Sequence, residues 1–91
     1  MNGENDAAEL IRQARELSET ALKGCPAQTY EQLVPLLDKA VALSPSMNAD
    51  YAQLLKEIVK NILQAQEIDD LVCISDYLGY ELPYILEHCQ K

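Results

Sequence analysis

Leu10, Ala14, Leu17 and Ala21 follow one another at intervals of four, three and four residues, and the same stepping recurs in three further stretches. That interval holds side chains on one face of a helix with 3.6 residues per turn. Nothing else in the sequence restricts the fold as strongly. Leu33, Leu36, Leu37, Ala40, Val41 and Leu43 make the second stripe, and Met47, Tyr51, Leu54, Leu55, Ile58 and Ile62 the third. The fourth is Leu71, Ile74, Leu78, Leu82, Ile85 and Cys89. No period-two run of β-branched residues occurs, so strands are not expected.

The ends of the stripes carry stop and start signals. Asp6 followed by Glu9 has the form of a capping box, and Lys23, Gly24 and Pro26 close the first helix, predicted over 7–23. Thr29 with Gln32 forms a second box, which predicts a helix over 30–43. Pro35 crowds the carbonyl of Glu31 there, so a bend, or a start near Val34, is expected. Ser44-Pro45-Ser46 breaks the chain before a third helix over 47–65. Ala52, Val59 and Leu63 widen its apolar arc to nearly half the circumference, which predicts a central helix touching two neighbours. Asp69 or Asp70 caps the last helix, over 70–89, which contains Gly79 and Pro83. Pro83 removes a backbone donor and meets the carbonyl of Gly79, whose missing side chain lets the backbone yield. A kink at Gly79/Pro83 follows.

Connections this short force sequential helices to run antiparallel. The expected fold is therefore all-α, a small antiparallel up-down-up-down four-helix bundle forming a single domain over 1–91. With 48% hydrophobic residues the chain has enough apolar side chains to build that core. Lys39 to Pro45 looks like the close of a tetratricopeptide unit, but no second copy stands at the 34-residue spacing that stacked repeats need.

Fifteen Asp and Glu against seven Lys and Arg leave a formal net charge of -8. Such a chain gains nothing from releasing counterions on a phosphate backbone and is repelled by anionic lipid, so neither nucleic acid nor a membrane is an expected partner. No stretch is long and apolar enough to span a bilayer, and Met1 to Ala8 is polar and acidic where a signal peptide has a basic start and an apolar run. A cytoplasmic protein is expected. Cys25, Cys73 and Cys89 are odd in number and widely spaced, which reads as three reduced thiols.

Catalytic chemistry finds no candidate residues. His88 is the only histidine, and its neighbour Cys89 diverges from it by about 100° on a helix, so the two cannot face one another. No nucleophile elbow, zinc-binding helix or phosphate-cradling loop is present. An EF-hand counted from Asp69 would need Gly and Glu where Ile74 and Tyr80 stand. An acyl carrier protein would carry Asp-Ser-Leu at a helix start, whereas Ser44 and Ser46 flank Pro45. Neither an enzyme, nor a cofactor, nor a metal site is expected.

The last helix is distinctive in another way. Residues 67–87 hold six acids and no Lys or Arg. On a regular helical wheel Tyr77, Tyr80, Glu81, Tyr84 and His88 fall on a second face, away from the core stripe. Tyrosines combine contact area with a polar tip and serve as anchors at interfaces, and an acidic surface steers a basic partner. Tyr77, Tyr80, Glu81 and Tyr84 are the candidate partner-binding residues. The expected function is a non-catalytic protein-protein interaction module, chaperone-like or a regulatory adaptor. A structural homodimer and a small carrier or ligand-binding bundle are the alternatives.

Asp76-Tyr77-Leu78-Gly79-Tyr80-Glu81-Leu82-Pro83 resembles the C-terminal signature of small, acidic, helical bacterial proteins of unassigned function, in which an Asp, a Leu and Tyr-Glu-Leu precede a proline. The resemblance implies a bacterial helical accessory protein without a catalytic residue. In architecture the chain is also similar to flagellar and secretion export chaperones, helical bundles that shield an amphipathic helix of their partner.

Overall fold

Five contacts between distant residues fix the direction of every helix in the computed structural model, which describes residues 3–90. The helices among the described residues are α1 (Gly3–Leu22), α2 (Pro26–Ala42), α3 (Ala49–Glu67) and α4 (71–88). Tyr51 at the start of α3 donates its hydroxyl to the carbonyl of Ala40 at the end of α2, at 2.6 Å. Tyr30 near the start of α2 donates to Asp69 beyond the end of α3, at 2.9 Å. Asn48 before α3 donates its N–H to the carbonyl of Cys89 after α4, at 2.7 Å. Ser18 late in α1 donates to the carbonyl of Ser75 early in α4, at 2.9 Å, and Arg15 lies 3.8 Å from Glu87. Each of the four hydrogen-bonded pairs joins the end of one helix to the beginning of a neighbour around a ring. The result is an up-down-up-down bundle.

The helix ends differ from the sequence expectation in ways that have local causes. α1 already includes Gly3, three residues before Asp6, so Asp6 lies inside the helix and does not cap it. Glu9 is occupied elsewhere, with Arg12 and Gln13. α2 starts at Pro26, because a proline at the first helical position has its φ preset and loses no hydrogen bond there. Thr29 is then the buried fourth residue, donating its hydroxyl to the Cys25 carbonyl at 2.7 Å, and the helix passes through Pro35 without a break. Ser44–Ser46 is a single 3-10 turn, and Asn48 caps α3 by accepting from the N–H of Asp50. Asp70 is the cap of α4, accepting from Cys73 N–H, while Asp69 takes a left-handed φ of 54° to turn the chain.

Gly79 and Pro83 are where α4 departs from regularity, and the departure is a π-helical turn. Leu71–Asp76 and Leu82–His88 are α-helical, and between them Tyr77–Glu81 forms the wider turn, in which Leu82 N–H reaches back to the Tyr77 carbonyl. Pro83 has no N–H to give, so a turn that does not require one suits it. The turn also changes which residues share a face. Ile74, Leu78, Leu82 and Leu86 are all fully buried. Spaced by four, they would drift by about 120° on a regular helix, and one extra residue in the wide turn cancels about 100° of that drift.

α1, and not α3, is the helix most embraced by its neighbours, packing along the whole of α4 and along α2. The reason is side-chain size. Ala7, Ala14, Ala21 and Ser18 are buried on α1, and Gly79 faces Ser18 so closely that a Cβ built there would lie 2.9 Å from the Ser18 Oγ. Small residues on both sides bring these two backbones together. α3 buries Tyr51, Leu55, Ile58, Ile62 and Ala65, while Ala52, Leu54 and Leu63 are exposed and Val59 is half-buried. Its apolar arc therefore exceeds its buried face: α3 touches two neighbours, α2 and α4, as expected, but α1 rather than α3 is the central helix. Every described buried side-chain polar atom has a hydrogen-bond partner.

Two stability measurements follow. Gly79→Ala gains roughly 1 kcal/mol of helix propensity but forces Ser18 off its bond to Ser75, for a net loss of about 1 kcal/mol. In a Ser18→Ala background the Cβ meets only the side-chain carbon 3.5 Å away, so the same change is neutral or stabilising in urea denaturation. Tyr51 is fully buried, and burial first, then Cys89, pushes its hydroxyl up to about 12. A raised folded value means that the unfolded chain ionises first, so stability present below pH 10 is lost as pH rises toward about 12. Tyr51→Phe is expected to cost about 1–2 kcal/mol at neutral pH and to flatten that alkaline decline in pH-dependent melts.

Candidate interaction surface

The candidate residues begin with a half-buried ring. Tyr77, the first residue of the π-helical turn, packs against the core from the α3 side of α4. One turn later comes Glu81, and then Tyr84 and Ile85. These four face Leu54, Glu57, Ile58 and Asn61 of α3 across a groove open to solvent. Ile58 and Ile85 are buried and floor it, and the tyrosines wall it. Toward the start of α4 the groove continues into a hollow lined by Asp70, Val72, Cys73 and Asp76, sharing Tyr77 and Glu81.

Tyr80 is placed apart from the other candidate residues. It is 75% exposed and lines neither hollow. Tyr84 is 56% exposed and stacks on His88, ring centroids 4.1 Å apart, while His88 Nδ1 donates to the Tyr84 carbonyl at 2.8 Å. The stack holds the tyrosine against its helix. The structure thus brings Tyr77, Glu81 and Tyr84 together and adds Leu54, Glu57 and Asn61, which sequence reasoning missed. Leu54 belongs to the α3 stripe, and its exposure depends on how closely α4 packs against α3, which the stripe alone does not show.

Charge in the groove is of one sign. Glu57, Asp70, Asp76 and Glu81 line its two parts, no Lys or Arg does, and none of the four carboxylates joins an ion pair among the described residues. The α1 surface differs, since Arg12 is bracketed there by Glu9 and Glu16. Apolar floor, aromatic walls and an acidic rim are the ingredients of a docking groove for a complementary chain.

The other chemistry-bearing side chains do not converge. Cys25, Cys73 and Cys89 are free thiols. Burial, then Asp70 and Asp76, pushes the Cys73 thiol up, and burial, then Asp50, does the same to Cys89. Both shifts favour the protonated, unreactive form. No group of His, Cys, Asp and Glu that could hold a metal ion occurs among the described residues, and no described helix is long and apolar enough to cross a membrane. Gln90 pairs with Met47 and donates its side-chain amide to the Leu86 carbonyl. Comparison with family models, with curated proteins and with solved structures finds no match for this chain.

Proposed function

We propose that this protein is a non-catalytic interaction module, chaperone-like or a regulatory adaptor, whose α3–α4 groove receives a basic segment of a partner protein. One observation carries the reading. The groove joins exposed aromatic and aliphatic contact area to four carboxylates that join no ion pair among the described residues, with no cation among its lining residues. An apolar strip rimmed by one sign of charge selects a ligand with apolar anchors and opposite flanks. A bacterial, cytoplasmic setting belongs to the same reading, through the resemblance of the 76–83 run.

The test is a backbone-amide NMR titration with a synthetic amphipathic helix carrying Leu on one face and Lys on the other. Shifts are expected to concentrate on Leu54, Glu57, Asn61, Tyr77, Glu81 and Tyr84, and to weaken with salt. Glu57→Lys with Glu81→Lys should reduce affinity by on the order of tenfold or more, while Tyr80→Ala should leave it unchanged. Shifts spread evenly over the surface, or equal binding by the charge-reversed variant, would overturn the reading.

A further inference from the structure

The exposed aliphatic side chains of α2 and α3 have no place in the groove just described. On α2, Gln32, Leu36 and Lys39 share a hollow with Arg12, Gln13, Glu16 and Leu17 of α1, which marks the α1 flank. With Leu33 at zero on the wheel, Val34 and Val41 lie at about 100° and 80° on the opposite flank, toward α3. Tyr30, at about 60° on that side, makes the bond to Asp69. On α3, Leu54 and Asn61 mark the α4 flank. Measured from Tyr51, Val59, Ala52 and Leu63 lie at about 80°, 100° and 120° on the other side, toward α2. Val34 and Val41 are each 55% exposed and Leu63 is 45% exposed. They flank the α2–α3 seam, the least closely packed of the four.

Two charges complete this face. Asp38 on α2 and Lys56 on α3 both lie about 140° from the core centre of their helix, at the outer edge of the aliphatic strip. Neither joins an ion pair among the described residues. The bond from Tyr51 to Ala40 sets the register of the two helices, and it places Asp38 and Lys56 on one level to within about a helical turn.

We propose that the α2–α3 face is a self-complementary homodimer interface, with a twofold axis parallel to the helices. That axis lays α2 against the partner's α3 and α3 against the partner's α2. Asp38 then meets the partner's Lys56, and Val34 and Val41 meet the partner's Val59 and Ala52. Symmetry makes each contact twice. A twofold across the helices would set α2 on α2 and bring Asp38 against its own copy, so like-charge repulsion selects the parallel axis. A second copy is the occupant because Asp38 and Lys56 put an acid and a base on this face at the same level, unlike the uniformly acidic groove. The proposal is independent of the groove, which lies on the opposite flank of α3.

Sedimentation equilibrium over a range of protein concentrations tests it. The wild-type chain is expected to approach twice its 10.2 kDa mass as concentration rises. Asp38→Lys alone and Lys56→Asp alone should each weaken association by on the order of tenfold or more, and the two together should restore it. Val41→Asp should abolish the dimer with the circular dichroism melt retained, since the residue is exposed in the monomer. A monomer at every concentration would overturn the proposal, as would a dimer indifferent to Asp38→Lys or a charge swap that restores nothing.

Discussion

The close approach of α1 and α4 at Ser18 and Gly79 is the contact from which the rest of the architecture follows. A glycine opposite a serine lets two backbones meet where larger side chains would hold them apart, and the serine hydroxyl bonds to the Ser75 carbonyl across the seam. Interiors are close-packed, so an approach at one point sets the spacing of the layers around it. Ala14 and Ala21 extend the same thin seam along α1. α1 consequently sits deepest, and α3 is left to lean on α4 and, more loosely, on α2. The wide turn at Tyr77–Glu81 is the complement of this arrangement, since it keeps Ile74, Leu78, Leu82 and Leu86 facing inward along the full length of the contact.

Both surfaces with interaction potential arise from that asymmetry. Because α4 is drawn onto α1, its other flank meets α3 across a groove rather than a sealed seam, with Tyr77 half in the core and Tyr84 outside it. Because α3 is peripheral, its second flank leaves Leu63 and Ala52 exposed beside Val34 and Val41. Exposed aliphatic residues are unremarkable singly and gain meaning when they line up on one face. Charge distinguishes the two surfaces: carboxylates alone rim the groove, while an acid and a base flank the α2–α3 strip.

Much of this was legible in the residues. Four stripes at helical spacing and short breaks between them dictate an antiparallel bundle, and Gly79 with Pro83 marks the irregular stretch of α4. Beyond Gly79 the stripe named Leu82, Ile85 and Cys89, which are buried, and it missed Leu86, because a helical wheel assumes that every residue advances by the same angle. Ile74, Leu78, Leu82 and Leu86 at an interval of four are the sequence sign of a wide turn. Pro26 outcompeted Thr29 as a start because a preset φ at the first position costs nothing, whereas Thr29 is more useful buried and bonded to Cys25. The peripheral place of α3 could not be read from its own stripe. It depends on the small residues of α1, which look ordinary until their partner across the seam is known.

The phase of α4 is the central claim, and removing one residue tests it directly. If the wide turn holds an extra residue, deleting Tyr80 together with Pro83→Ala converts 71–88 into a regular helix and leaves Leu82 and Leu86 facing α1. Thermal unfolding followed by circular dichroism should then show a cooperative, fully helical protein whose stability lies within about 2 kcal/mol of the parent. If instead every residue of α4 advances by the same 100°, the deletion turns the last two helical turns outward. An unfolded or molten chain would contradict the account.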